Sequence, residues 1–100
     1  YSRLDADADM NEKQKISTLS PDDLKTNSLA DEEIITKMTH ASGNNKPIGG
    51  IKITTKNGWF AARPSGTEDI YKIYVESFLG ESHLKKIQQD AKKIVADAIT

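Results

Sequence analysis

Residues 57–69 read Asn-Gly-Trp-Phe-Ala-Ala-Arg-Pro-Ser-Gly-Thr-Glu-Asp, and they combine a turn signal, a strand and a polar loop. Asn57-Gly58 is a strong hairpin signal, because a two-residue type I′ turn needs positive φ at both central positions. Residues 50–55 before the turn and residues 59–63 after it are predicted to be the two strands. The sequence therefore predicts an antiparallel hairpin that leads directly into the loop beginning at Pro64.

A turn centred on Asn57-Gly58 also predicts the register of the hairpin and the direction of each side chain. Residues of a strand point alternately to opposite faces, so one face of this hairpin is apolar and the other is open. In this register Lys52 lies across from Arg63, and like charges in that position repel each other. A bound anion would relieve that repulsion, so we expect Lys52 to sense the same anion as Arg63. The expected core face holds Ile51, Ile53, Phe60 and Ala62, and the open face holds Lys52, Trp59, Ala61 and Arg63.

The flanking sequence predicts three more strands, at residues 1–5, 33–40 and 70–78. Asp9 followed by Glu12 is a capping-box pattern and predicts a helix over residues 10–19. Further elements are predicted as follows: a helix of one or two turns beginning at Ser20-Pro21, a mobile loop at residues 42–47, and an amphipathic helix from Glu81 onward. Together they predict an α+β fold, with an antiparallel sheet of four to five strands and helices packed on one face.

Composition limits the classes of function. The chain has 100 residues, which suits one domain. A formal net charge of −1 argues against a nucleic-acid surface, which needs a clustered basic excess. Neither a membrane span nor a signal peptide is recognisable. The chain contains no cysteine, which agrees with the cytoplasmic location that we expect. His40 and His83 lack metal-ligand partners in their sequence surroundings, so we predict no metal site.

The loop after the hairpin carries groups that suit a phosphate. Arg63 supplies a guanidinium that forms bidentate bonds to phosphate oxygens. Ser65 and Thr67 offer hydroxyls, and Gly66 lets backbone N–H groups converge on an anion. The same residue types also occur in plain strand connections, so the loop alone leaves both interpretations open.

Three motifs follow one another in a specific order and spacing: Gly49-Gly50-Ile51-Lys52-Ile53, Asn57-Gly58-Trp59 and Arg63-Pro64-Ser65-Gly66-Thr67-Glu68. On these motifs, the chain resembles the C-terminal domain of the α-D-phosphohexomutases over essentially its whole length. Among the members of that family, the continuation 69–74, Asp-Ile-Tyr-Lys-Ile-Tyr, is most similar to bacterial phosphoglucomutases. Phosphomannomutase-type members typically have Arg-Ala-Ser-Asn-Thr-Glu-Pro at residues 63–69, where this chain has Pro64, Gly66 and Asp69.

The resemblance implies a fold similar to that of the TATA-box-binding protein, without its function, and a position as the last of four domains. The implied reaction interconverts glucose 1-phosphate and glucose 6-phosphate through a phosphoserine enzyme and glucose 1,6-bisphosphate, with Mg²⁺ in the parent enzyme. The expected partners are these phosphosugars and the other domains of the same chain. The implied substrate phosphate-binding residues are Arg63, Ser65, Gly66, Thr67 and Glu68.

The resemblance implies no catalytic residue and no cofactor for residues 1–100. The family's serine loop, its aspartate-rich metal loop and its sugar loop have no counterpart in this sequence, so we expect the isolated chain to be inactive. The chain begins at Tyr1 rather than at a methionine, and we expect it to be a fragment of a longer enzyme. The alternatives are a stand-alone phosphate-binding module, a phosphomannomutase or phosphoglucosamine mutase domain, or an interaction domain that uses the open sheet face around Trp59.

Overall fold

The computed structural model describes residues 1–40, 43 and 45–100. The loop predicted at residues 42–47 lies partly outside this range, because residues 42 and 44 are not described. A single turn of 3-10 helix at Pro21–Asp23 matches the short helix predicted after Ser20. The other elements, in chain order, are β1 (Ser2–Asp7), α1 (Met10–Ser17), β2 (Ser28–Leu29), β3 (Glu32–Glu33), β4 (Thr36–His40), β5 (Pro47–Thr54), β6 (Gly58–Pro64), β7 (Ile70–Ser77) and α2 (Glu81–Ile99).

Five of the strands form one sheet in the order β1-β7-β6-β5-β4, and every neighbouring pair is antiparallel. Strands β2 and β3 form a separate two-stranded ribbon. Helix α1 packs against β5 and β6, while α2 packs against β6 and β7. The predicted α+β fold, a sheet of four to five strands with helices on one face, is confirmed.

The core lies between the helices and the inner face of the sheet. The hairpin side chains predicted to face it are fully buried. From the helices, Ile16 of α1 and Ile87 of α2 are also fully buried, which anchors both helices to the same layer. The buried inner-face residues of the three central strands are Ile51, Ile53, Phe60, Ala62, Tyr71, Ile73 and Val75.

The predicted hairpin turn is wrong by one residue, which shifts the pairing of the two strands by two residues. Ile53 pairs with Phe60, and the Thr55 N–H donates to the Gly58 carbonyl at 2.8 Å, so the two central turn residues are 56 and 57. Gly58 belongs to β6, where a Cβ would lie 2.7 Å from the Glu76 carbonyl and would crowd Ile87 of α2. Close packing explains this glycine better than turn geometry does. A shift of two residues preserves the side-chain faces, so the predicted core face is still correct.

A two-residue turn with positive φ does occur, but at Ala30-Asp31 between β2 and β3. Ala30 has φ +50° and Asp31 has φ +65°, a conformation that costs free energy for residues with a Cβ. Helix α2 holds this turn from the side. The Ala30 N–H donates to the Asp90 carboxylate at 2.7 Å, and Lys86 forms an ion pair with Asp31. Tertiary contacts therefore stabilise a turn that the local sequence does not predict.

Candidate anion-binding site

The candidate site residues lie where β6 ends and the loop to β7 begins. Arg63 is exposed on the outer face of the sheet, which the helices leave open. Ser65 is buried, while Gly66, Thr67 and Glu68 are exposed at the tip of the loop. The structure thus brings the five predicted residues together at one end of the sheet, with one guanidinium and a polar loop facing solvent.

The Ser65 hydroxyl organises the loop. The Ser65 N–H donates to the Ile70 carbonyl at 3.0 Å, which closes the loop at its base. The amides of Thr67 and Glu68 both donate to Ser65 Oγ, at 3.3 and 3.2 Å. These two backbone amides therefore converge on the Ser65 hydroxyl oxygen, whereas the sequence-based prediction is that amides of this loop converge on an anion. The Ser65 hydroxyl proton remains able to donate to an incoming acceptor.

Arg63 lies across two glycines of β5. A Cβ at Gly50 would lie 3.1 Å from Arg63 Cγ and would overlap the Ala62 carbonyl oxygen. A Cβ at Gly49, where φ is +77°, would lie 3.9 Å from an Arg63 terminal nitrogen. The Gly-Gly pair leaves room for the arginine side chain to lie on the strand.

The side chain across from Arg63 is Lys72, not Lys52. The β6–β7 register pairs Arg63 with Lys72, and Asp5 of β1 lies on the other side of Lys72. The two-residue shift of the hairpin places Lys52 opposite Ala61, so the predicted Lys52–Arg63 pair is wrong. Two cations, now Arg63 and Lys72, still face each other beside the loop, so a bound anion would still relieve their repulsion. Sequence reasoning missed Lys72 because it paired Arg63 across only one of its two neighbouring strands.

Lys52 takes part in a separate cluster on the same face. Its Nζ lies 4.4 Å from the centroid of the Trp59 ring, a cation–π contact. Trp59 Nε1 donates to the Glu76 carboxylate at 2.9 Å, and the Tyr1 ring lies 6.4 Å away. The polar atom and one ring face of Trp59 are thus engaged within the chain.

A second polar cluster lies at the opposite end of the sheet. His83 Nδ1 lies 2.6 Å from Ser77 Oγ, and His83 Nε2 lies 3.2 Å from the Glu32 carboxylate. Among the described residues, His83 Nε2 has no hydrogen-bond partner. A hydrogen bond from Asn57 lowers the pKa of Glu32, assisted by Thr55 and His83 and opposed by burial. In the described part of the chain, no group of three or more His, Asp or Glu side chains is arranged to hold a metal ion.

The back of the loop contacts α1. Lys13 Nζ donates to the Glu68 carbonyl at 2.8 Å, and the Ala8 N–H donates to the Asp69 carbonyl at 3.0 Å. Sequence reasoning missed Lys13, which lies 55 residues from Glu68 and carries no pattern of its own. A shallow cavity of about 310 Å³ lies between α1 and the loop, lined by Met10, Lys13, Gln14, Ser17, Pro64, Ser65 and Gly66.

Within the described residues, no helix is both long enough and apolar enough to cross a membrane.

Comparison with known proteins agrees with the motif. Residues 8–94 match the family described as "Phosphoglucomutase/phosphomannomutase, C-terminal domain". A phosphoglucomutase of Komagataeibacter xylinus is 49% identical over 96 residues, which cover 96% of this chain and 17% of that protein. A probable phosphoglucosamine mutase of Pyrococcus abyssi is 32% identical over 79 residues, which cover 79% of this chain and 17% of that protein. The chain thus spans about one sixth of the length of these relatives.

Proposed function

Because this chain belongs to the family of phosphoglucomutase and phosphomannomutase C-terminal domains, we propose that it grips the phosphate group of a hexose phosphate within a longer enzyme. The observation that carries the proposal is the position of Arg63. Its guanidinium is exposed, faces Lys72 across the strand pair and borders the polar loop 65–68. Two cations beside hydroxyl and amide donors suit a dianion such as a phosphate monoester.

Each proposed site residue has a distinct part. Arg63 forms bidentate bonds to two phosphate oxygens, and Lys72 adds a second positive charge. Ser65 and Thr67 donate hydroxyl protons, and Gly66 donates its amide. Glu68 contributes through its backbone, which Ser65 Oγ and Lys13 hold from two sides. Its carboxylate is exposed and stays outside the phosphate contacts.

In the longer enzyme we infer the reaction of a phosphoglucomutase: interconversion of glucose 1-phosphate and glucose 6-phosphate. The phosphoryl group would pass through a phosphoserine and glucose 1,6-bisphosphate, and Mg²⁺ bound elsewhere in the enzyme would supply positive charge for that transfer. Other parts of the enzyme supply the serine and the metal ligands. The role of this chain is to hold the phosphate remote from the reacting serine, so it must accept either phosphate of the sugar in turn.

Glucose is the sugar we propose over mannose or glucosamine. The support is the 49% identity to a phosphoglucomutase, against 32% to a probable phosphoglucosamine mutase, together with Pro64, Gly66 and Asp69 in the loop. A comparison of kcat/KM for the 1-phosphates of glucose, mannose and glucosamine tests this choice. A preference for glucosamine 1-phosphate would replace the glucose assignment and leave the phosphate-binding role in place.

The experiment that tests the role is Arg63→Ala in the full enzyme. Loss of a charge-assisted contact of about 1.5–3 kcal/mol lowers kcat/KM by about 10- to 150-fold and raises KM. Phosphorylation of the enzyme by glucose 1,6-bisphosphate at saturating concentration should still occur. Arg3→Ala is a matched control, because Arg3 lies on the same face in an ion pair with Asp5 at 3.4 Å. Unchanged kinetics in Arg63→Ala would reject the role.

A further inference from the structure

Lys13 has an unusual environment for a lysine on a surface helix. Its side chain is only 12% exposed, and its Nζ lies 2.8 Å from the Glu68 carbonyl oxygen. The same ammonium lies 3.9 Å from the Asp69 carboxylate, which is itself 88% exposed. Lysines are rarely buried to this extent unless their charge is paired. The charge of Lys13 is thus directed at the backbone of the loop.

The contact belongs to a set that joins the start of α1 to the back of the loop. The Ala8 N–H donates to the Asp69 carbonyl at 3.0 Å, just before the helix begins. The capping box of Asp9 and Glu12, with bonds of 2.8 and 3.1 Å, fixes that first turn. Two consecutive loop carbonyls, at residues 68 and 69, are therefore held by one donor from α1 and one from the residue before its N-cap.

The front of the loop has no comparable packing. Gly66, Thr67 and Glu68 are exposed, and a Cβ at Gly66 would meet no atom within 4 Å. The bonds from the Thr67 and Glu68 amides to Ser65 Oγ are long, at 3.3 and 3.2 Å. Side-chain burial does not hold these residues in place, so the shape of the front depends on the contacts behind it.

We propose that Lys13 is a positioning residue for the loop, holding the Glu68 carbonyl from behind so that residues 66–68 keep one conformation. The effect on phosphate affinity rests on the function proposed above, whereas the effect on the loop does not. Neither Lys13 nor Glu68 belongs to the apolar core, so removal of the ammonium leaves the core packing intact. The loss then appears as local disorder of the loop rather than as unfolding of the domain.

The test compares Lys13→Met, which keeps the aliphatic stem, with Lys13→Arg, which keeps the charge and a donor. Lys15→Met is the matched control, since Lys15 Nζ donates to the Ile99 carbonyl at 3.3 Å, away from the loop. Amide hydrogen exchange is measured on the 100-residue chain without ligand. The Thr67 and Glu68 amides should exchange about tenfold faster in Lys13→Met and near the wild-type rate in Lys13→Arg.

Titration with inorganic phosphate, followed at the Gly66 amide by NMR, supplies the second measurement. Lys13→Met should raise the dissociation constant for phosphate about five- to tenfold, because an ordered loop lowers the entropy cost of binding and this variant loses that order. Lys15→Met should leave both measurements unchanged. If the wild-type chain shows no response to phosphate, the proposed function fails at the level of this chain. The exchange rates, which are measured without ligand, still test whether Lys13 orders the loop.

Two results would overturn the proposal. Equal exchange at Thr67 and Glu68 in Lys13→Met and wild type would show that the contact does not order the loop. A uniform rise in exchange throughout the chain would show that Lys13 supports global stability instead. If Lys13→Met does not fold, the wild-type chain decides: a scalar coupling across the hydrogen bond from Lys13 Nζ to the Glu68 carbonyl carbon supports the proposal, and its absence at low temperature rejects it.

Discussion

Gly50 lies beside Arg63 on the neighbouring strand and Gly66 lies in the loop that follows Arg63, but the fold requires only Gly50. A Cβ at Gly50 would overlap the Ala62 carbonyl, whereas a Cβ at Gly66 would meet no atom within 4 Å. We therefore expect Gly50→Ala to lower the free energy of unfolding by about 2 kcal/mol or more, a typical cost of overpacking. Gly66→Ala should change it by less than about 0.5 kcal/mol. Urea unfolding followed by Trp59 fluorescence measures both.

The same pair of variants separates folding from binding. Gly66→Ala adds a methyl group to the exposed front of the loop, where we propose that the phosphate approaches. Phosphate affinity should fall in this variant although its stability does not. A stable Gly66→Ala chain with wild-type phosphate affinity would show that the anion does not approach Gly66.

Glu32 makes stability depend on pH in a defined direction. The hydrogen bond from Asn57 lowers its pKa below the ordinary value of 4.5, so the folded chain favours the carboxylate. The resulting stabilisation is complete above the unfolded-state pKa and is lost as the pH falls through the folded-state pKa. In urea unfolding between pH 7 and pH 3, the advantage of wild type over Glu32→Gln should be constant above about pH 5 and should shrink below it.

Glu33→Gln is the matched control for that experiment, because Glu33 is the exposed neighbour on the same strand. Its difference from wild type should show no comparable dependence between pH 5 and pH 3. A Glu32→Gln difference that stays constant down to pH 3 would contradict the role of the Asn57 and Thr55 hydrogen bonds.

Among the elements, α1 depends most on its cap. The helix has eight residues and its fully buried side chain is Ile16, so little apolar burial supports it. The reciprocal bonds between Asp9 and Glu12 satisfy two backbone N–H groups. Asp9→Ala should lower the free energy of unfolding by about 1 kcal/mol. Asp7→Ala on β1 is the control. An equal loss of unfolding free energy in both variants would mean that the cap does not stabilise α1.

The hairpin illustrates what sequence reasoning can and cannot establish for an element. Alternation predicted the buried face correctly, since Phe60 and Ala62 are fully buried. It did not determine the register, because a shift of two residues leaves every side chain on the same face. The deciding contact is Gly58 beneath α2, which involves residues far apart in the chain. Tertiary packing, rather than the local turn preference of Asn57-Gly58, therefore determines the register.

The ribbon of β2 and β3 was not predicted at all, for a related reason. Its turn residues, Ala30 and Asp31, adopt positive φ although neither is glycine or asparagine. The contacts that stabilise them come from Asp90 and Lys86 on α2. Capping patterns, in contrast, are local, and they predicted the beginning of α1 at Asp9 correctly.

For the molecule as a whole, the sequence identified the family and one side of the candidate site. Arg63 and residues 65–68 form a continuous motif, so they were recognisable without a structure. Lys13 and Lys72 reach the same region through tertiary structure and strand pairing. No spacing rule connects them to the motif, and only the fold brings them there.

We propose that the chemical step takes place in other parts of a longer enzyme. We expect the 100-residue chain alone to convert no glucose 1-phosphate in a coupled dehydrogenase assay. Inorganic phosphate should bind it at millimolar concentration, about −4 kcal/mol, because a single loop supplies the contacts. Measurable turnover by the purified chain, at a level that Arg63→Ala abolishes, would contradict the assignment of the chemistry to other parts of the enzyme.

The loop's exposed front and anchored back have a consequence for how such domains diverge. Changes at residues 66–68 alter what the loop presents while costing little in folding, because no core packing depends on them. Changes at the α1 contacts alter the shape of the loop itself. Under the proposed function, substitutions that change which phosphorylated ligand the loop accepts can therefore accumulate at residues 66–68 one at a time, because each variant still folds.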